Sequence, residues 1–513
     1  MNYNADVLVI GGGQAALRCA IEAREQGASV MMVTKGKAGG GGSSVISDGV
    51  HSSIFSKGDS PESFYRDIMR GGKSINNTRL VRVLAEECTA RVMELGEKFG
   101  IETYYEKEVA TPGHSFPRRC YAGDGTGKSI THKMREYAQH IGVQWIENTW
   151  VVDLMGDGRI QGAVGWREDE WIQVAAGSTI LASGGIGGLY AQSDNPLDVS
   201  GECIGMAWRH GATMQDMEFI QFYPYRLVEP KNIDLYTKLF AKGAKMLNTA
   251  GQRFMESFSR KEMETRDVLC YEMYKNGPVF LDITEVNPIQ LDTISPKLAM
   301  LMKKGYDGPL RMEPVEHYSI GGISVDEYGR TGVPGLYVCG ECTGGLHGAN
   351  RLGGGSLTES LVFGKRTGYA AAQEAVPILQ AQSLLNEQEQ DPLQIGFTGE
   401  GKAVIGQYRK EIQQLMWNRV GIHRTMAGLQ QAVAELNTMS RNVQQDMRLN
   451  GRASQVLADM IRSAWALSYS ALTRKESRGA HQMADFAAER PEWLGNIKIQ
   501  GEKSQFSPVQ GSE

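Results

Sequence analysis

Ala5-Asp6-Val7-Leu8-Val9-Ile10-Gly11-Gly12-Gly13-Gln14-Ala15-Ala16 opens the chain as an apolar run that passes straight into a glycine turn. Ala5 to Ile10 is short and rich in β-branched residues, as a strand buried on both faces requires. The GxGxxA pattern follows at once, Leu17 to Gln26 has helix-forming composition, and Ala28 to Thr34 returns to a strand pattern. Together they make a βαβ unit of the ~30 residues that a dinucleotide fingerprint needs. Gly11 permits the tight turn, Gly13 lets a pyrophosphate approach the backbone, and Ala16 lets helix and strand pack closely, with the helix N-terminus facing the phosphates. The acidic ribose ligand expected after the second strand is replaced by Thr34-Lys35. Either a hydroxyl takes the ribose or another segment supplies the carboxylate.

Two later segments repeat the theme. Thr179-Ile180-Leu181-Ala182-Ser183-Gly184-Gly185 runs from a strand into a glycine turn, and Leu336-Tyr337-Val338-Cys339-Gly340-Glu341 does the same and ends on a carboxylate. Three such turns at the carboxyl ends of parallel strands suit an extended cofactor, and FAD is long enough to use all three. Glu341 is the candidate for its ribose or ribityl hydroxyls.

At 513 residues the chain is long enough for two to four folding units. A net charge of −5 without a long basic run excludes the concentrated positive face that nucleic acid or an anionic membrane requires. No stretch approaches the ~18 apolar residues of a membrane span, and the first residues lack a signal-peptide pattern, so a cytoplasmic location is expected. Seven scattered cysteines, an odd number, suit a reduced compartment. Cys339 and Cys342 form a CxxC without the second pair that a metal site needs, so no metal is expected. They read as small residues flanking the cofactor turn or as a redox-active thiol pair.

Several segments carry a family resemblance: the opening fingerprint, Asp124-Gly125-Thr126-Gly127, Asp216 to Phe222, Thr265-Arg266-Asp267, His317 to Ile323, Gly340-Glu341, His347 to Gly353 and Glu476 to His481. On these the chain resembles the flavoprotein subunits of succinate dehydrogenase and fumarate reductase, whose relatives include L-aspartate oxidase and the α chain of adenylylsulfate reductase. The resemblance implies an α/β Rossmann-like FAD-binding domain (1–222 and 318–385), an inserted α+β capping domain (223–317), and a C-terminal helical domain and tail (400–513). A polar linker at 386–392 precedes helical spacing at Ile405, Tyr408, Ile412, Leu415 and Met416. The tail beyond Trp493 is polar, open to extension over a neighbour or to mobility.

The resemblance also implies roles. FAD is expected against Gly11, Gly13, Ala16, Thr34, Lys35, Ser43, Ser44, Gly49, Ala182, Gly184, Asp216, Glu341, Arg351, Ser356 and Leu357. Hydride passes between flavin N5 and a carbon next to a carboxylate. Arg266 matches the proton-moving Arg, and His317 and Arg351 match the residues that hold the carboxylate. Ser43 stands where covalent members carry a flavin-linking His, which implies noncovalent FAD. Where the family has Glu-x-x-Arg-Gly-Glu-Gly, this chain has Thr237, Phe240, Ala241, Lys242 and Gly243, and Tyr223 replaces a His. Losing those partners disfavours fumarate, because each unpaired charged group costs ~1 to 3 kcal/mol. Two readings follow. In one, a different carboxylate is the small-molecule substrate, with Tyr223, Lys242 and Arg118 or Arg119 adapted to its far end. In the other, Leu239 to Asn248 and Gly355 to Glu359 resemble adenylylsulfate reductase, and the chain passes electrons within a complex containing an iron–sulfur protein subunit.

Overall fold

The computed structural model describes residues 1–167, 170–377, 399–446, 448–449, 451–501 and 503–509; the expected linker at 386–392 lies outside them. The opening strand, Asn2–Ile10, runs parallel to Val30–Val33 on one side and Glu170–Leu181 on the other, with Ile10 level with both Val33 and Leu181. Leu336–Val338 adds a further parallel strand, Val338 against Leu181. Four strands therefore end on one edge, and Gly11, Thr34, Ala182 and Cys339 all leave it in the same direction. Three shorter strands complete a seven-stranded sheet.

The helix Gln14–Glu25 covers one face and packs against the long helix Gly355–Gln373. Glycine makes that approach close: a Cβ on Gly368 would sit 2.3 Å from the Cys19 carbonyl oxygen, and one on Gly364 2.7 Å from Arg18 Cβ. The contact fixes where the long helix begins, which is at the sheet edge just described.

Residues between 223 and 315 gather around their own core, which includes Tyr225, Leu239, Met246, Leu269, Leu281 and Leu298, and carry a five-stranded antiparallel sheet. The paired strands Ile220–Tyr223 and Val315–Ser319 connect this unit to the rest, with a register shift between Gln221 and Phe222. Three helices, Gly399–Arg419, Met426–Gln445 and Gly451–Thr473, follow. Ile412, Leu415 and Met416 are buried and Ile405 and Tyr408 pack against the same core, as their spacing predicts.

The tail differs from expectation. Gly495–Gln500 and Lys503–Pro508 form a hairpin whose inner strand pairs with Met214–Gln215. Ile497 and Ile499 are fully buried and alternate with Asn496 and Lys498. That period-two alternation is a strand signal which the overall polarity of the segment conceals.

Candidate active site

A cavity of about 320 Å³ begins where the four strands end, within the range of small-molecule sites. Gly11, Gly13, Thr34, Lys35, Ser43, Ser44, Ala182, Gly184, Glu341, Ser356 and Leu357 line it, and so do Tyr223, Arg266, His317 and Arg351. The first group comes from turns that follow strands. The second comes from the strand pair 220–223 and 315–319, the helix Arg266–Lys275 and the segment before Gly355–Gln373.

Two helices begin at this cavity, and neither start has a side-chain cap: Gly13 precedes one and Gly354 the other. Gln14 N donates to Ser44 Oγ at 3.1 Å. The other first-turn N–H groups and the positive end of each helix dipole suit an anion or a strong acceptor. Gly11 has no room for a side chain, since a Cβ would lie 2.1 Å from the Ala182 carbonyl oxygen. A phosphate on the first helix and the acceptor edge of a flavin on the second would satisfy both starts, so the residues present fit FAD. Glu341 accepts from Ser319 N at 3.0 Å, and burial pushes its carboxyl up to about 7. A carboxyl poised in this way accepts from hydroxyls or donates to a carbonyl.

Lys35 forms an ion pair with Glu202 and donates to the Asp198 carbonyl at 2.6 Å. The acid near the second strand end is thus supplied by another segment, and it is engaged by Lys35. Thr34 Oγ1 donates to the Gly36 carbonyl.

At the other end, Arg266 Nη1 and Arg351 Nε both donate to Gln221 Oε1, at 2.8 and 3.1 Å. Arg351 also donates to Ser356 Oγ at 2.9 Å and lies over the Tyr318 ring. Burial and the charge of Arg266 push the Arg351 guanidinium down to about 10. Neither Arg has a carboxylate within ion-pair distance among the described residues. His317 stacks on Tyr223 with ring centres 4.9 Å apart, and its Nδ1 is 2.8 Å from Asp194 Oδ2. Burial holds the imidazole below its ordinary range, with Asp194 opposing. Tyr223 donates its hydroxyl to the Leu235 carbonyl at 2.5 Å, and burial raises its pKa well above the usual value.

Four expected residues do not line the cavity. Lys242 lies at the surface, 3.5 Å from Glu108, because the short helix Thr237–Ala241 turns it outward. Asp216 is buried beneath the site, accepting from Asn496 Nδ2 and Ile497 N at 2.7 and 3.0 Å, and burial beside Glu218 pushes it up to about 7. Ala16 serves packing and is fully buried. Gly49 holds a left-handed turn against Thr126 and Ile130. Arg118 is buried in ion pairs with Asp59 and Asp67, whereas Arg119 lines the cavity. The seven cysteines are all buried, and burial pushes the Cys342 thiol up to about 12; such a thiol is inert. Sequence reasoning missed Asp48, Asp194, Asn195, Asp234 and Tyr236, which also line the cavity. They sit in irregular segments without a motif of their own.

A dinucleotide fold with a second unit over its switch point, two uncapped helix starts and a pair of unneutralised arginines defines an FAD-dependent oxidoreductase. Known proteins agree. The family of FAD binding domains matches residues 6–357 and the fumarate reductase flavoprotein C-terminus matches 409–507. One of the subunits of the fumarate reductase (CoM/CoB) of Methanothermobacter marburgensis is 33% identical, over 97% of each chain. The L-aspartate oxidase of Halobacterium salinarum is 33% identical, over 94% of this chain and 97% of its own. The E. coli quinol fumarate reductase FrdA superposes with a TM-score of 0.86 at 25% identity, over 100% of this chain and 98% of that one. The chain belongs to the FAD-dependent fumarate reductase, succinate dehydrogenase and L-aspartate oxidase family. No described helix is long and apolar enough to cross a membrane.

Proposed function

We propose that the protein adds or removes two hydrogens across a carbon–carbon bond next to a carboxylate, and that fumarate is not its natural substrate. The carrying observation is the pair Arg266 and Arg351, two cations that share one neutral acceptor, Gln221 Oε1, and have no carboxylate partner among the described residues. Charge held away from water without a counter-ion is costly, and a bound carboxylate relieves that cost. Guanidinium forks also match carboxylate geometry. FAD, once bound, accepts or supplies the hydride at N5.

The other side chains near this end shape the ligand. Tyr223 lies under both His317 and Arg266, the latter 5.0 Å from its ring centre, and spends its hydroxyl on Leu235. Thr237 and Phe240 are buried in the capping core, so neither offers a second clamp for a small dicarboxylate. Arg119 and Tyr236 provide the polar groups farther along the wall.

Anaerobically reduced enzyme, mixed with fumarate, larger enoates and adenylylsulfate, tests this by flavin reoxidation. An enoate other than fumarate should react fastest, and Arg266→Met should weaken its binding about 10- to 100-fold, the loss of one charged hydrogen bond, with flavin content unchanged. Inertness toward every unsaturated carboxylate overturns the reading. A second reading, electron supply by an iron–sulfur protein, is supported by the M. marburgensis relative, which is one component of a multi-subunit fumarate reductase. Co-elution of an iron–sulfur protein from the native source tests it.

A further inference from the structure

Asp194 belongs to an irregular segment that is tied to the strand Val315–Ser319 at several points. Asp194 N donates to the Glu316 carbonyl at 3.1 Å, Glu316 N to the Gln192 carbonyl at 2.9 Å, and Asn195 Nδ2 to the His317 carbonyl at 2.9 Å. Ser193 and Asn195 also donate to Glu316 Oε2, at 2.7 and 3.1 Å. The Asp194 carboxylate is thereby held 2.8 Å from His317 Nδ1. Both side chains line the cavity, with 26% of the His317 side chain and 15% of Asp194 left accessible within it. Nε2 has no protein partner among the described residues. A carboxylate on Nδ1 fixes the tautomer: Nδ1 keeps its hydrogen, and Nε2 is the nitrogen that gains or loses a proton facing the ligand.

Arg266 lacks any comparable support. The segment that would relay a proton to it carries Thr237 and Phe240; Phe240 packs on Tyr225 at 4.8 Å, and Tyr225 donates its hydroxyl to the Glu262 carbonyl. An apolar contact fills the place of a proton chain, and an unassisted guanidinium holds its proton up to pH ~12. An imidazole titrates near neutrality and is the better acid–base group.

We propose that in this chain His317, oriented by Asp194, moves the substrate proton, while Arg266 and Arg351 hold the carboxylate; this rests on the carbon–carbon reduction proposed above. In the reducing direction a hydride, two electrons and one nucleus, adds to the carbon β to the carboxylate. The π pair of the double bond moves to the α carbon and takes the proton from Nε2, leaving a neutral imidazole that solvent reprotonates through the cavity. Oxidation runs the same steps backwards. His317 is the catalytic residue and Asp194 a positioning residue. The groups facing the imidazole are Asp194, which favours its charged form, Arg266 and Arg351, which oppose it, and Tyr223, Asp234 and Glu316. A carboxylate arriving on the two arginines cancels much of that opposition, so substrate binding draws a proton onto His317.

The test uses the intact flavin-loaded protein labelled with 15N-histidine, with the His317→Gln variant identifying the resonance. The Nδ1–H form should dominate at high pH, and Asp194→Asn should abolish that preference. With the acceptor found by flavin reoxidation, Asp194→Asn should lower kcat about 100-fold, leave KM unchanged and shift the pH profile. Arg266→Met should mainly raise KM. An Nε2–H form in the unaltered protein, or a kcat and pH profile indifferent to Asp194→Asn, overturns the proposal. If no unsaturated carboxylate reacts, the functional reading fails, and the nitrogen resonances still decide the pairing.

Discussion

Ser43 donates its hydroxyl to Asn195 Oδ1 at 2.5 Å, on the wall of the cavity. An alcohol so engaged offers no nucleophilic nitrogen for a bond to flavin, so acid denaturation should leave all the yellow colour in the supernatant. Fluorescence migrating with the denatured chain on a gel would contradict this. His114 allows a second prediction. Its Nδ1 lies 3.1 Å from Arg118 and its Nε2 3.1 Å from the Gly353 carbonyl, and burial together with Arg118 pushes the ring from 6.5 down to about 4. The unfolded chain takes up this proton below 6.5, whereas the folded chain waits until about 4. The contribution is therefore complete above the unfolded value and is lost as pH falls, by roughly 3 kcal/mol in total. His114→Asn should flatten the fall of Tm between those two values; an unchanged slope would refute the assignment. Single residues were legible where a motif fixed the backbone, as at Gly11. Lys242 was misplaced because a sequence position does not say which way a one-turn helix faces.

At the scale of elements, two glycines in helices make opposite predictions. Gly368→Ala puts a Cβ 2.3 Å from the Cys19 carbonyl oxygen and forces apart two helices that meet at the cofactor. Overpacking of this kind costs about 1 to 3 kcal/mol, and flavin occupancy should fall with Tm, because the displaced helix begins at Ser356 and Leu357. Gly406 lies within Gly399–Arg419 with nothing within 4 Å of an added Cβ. Gly406→Ala should stabilise by about 0.5 to 1 kcal/mol through the unfolded chain's lost freedom. Thermal melts of both variants decide, and a shift of the same sign in both would be wrong for one of them. Helical spacing made the C-terminal helices legible. The terminal hairpin escaped notice because its alternation is short and its partner, Met214–Gln215, is far away in sequence.

Over the whole molecule, the C-terminal segment is fastened beneath the site by buried charge. Arg474 is fully buried and donates to Glu218 Oε1 at 2.6 Å, to Glu476 Oε1 at 2.9 Å and to the Gly495 carbonyl at 2.9 Å. Arg474→Ala would strand Glu218 without its cation and should cost about 3 to 5 kcal/mol, read as a lower urea midpoint; a loss below 1 kcal/mol would rule the network out as a fastening. The sequence by itself determined the dinucleotide fold, its three glycine turns and the identities of Arg266, His317 and Arg351. These depend on short-range sterics and on spacing within one segment, which a linear reading can follow. Only the tertiary structure decided that Asp194 meets His317, that Glu202 meets Lys35 and that Asp216 lies below the site. Such pairings depend on which irregular segments the packed core brings together, and a charge carries no mark of its partner until burial removes water as the alternative.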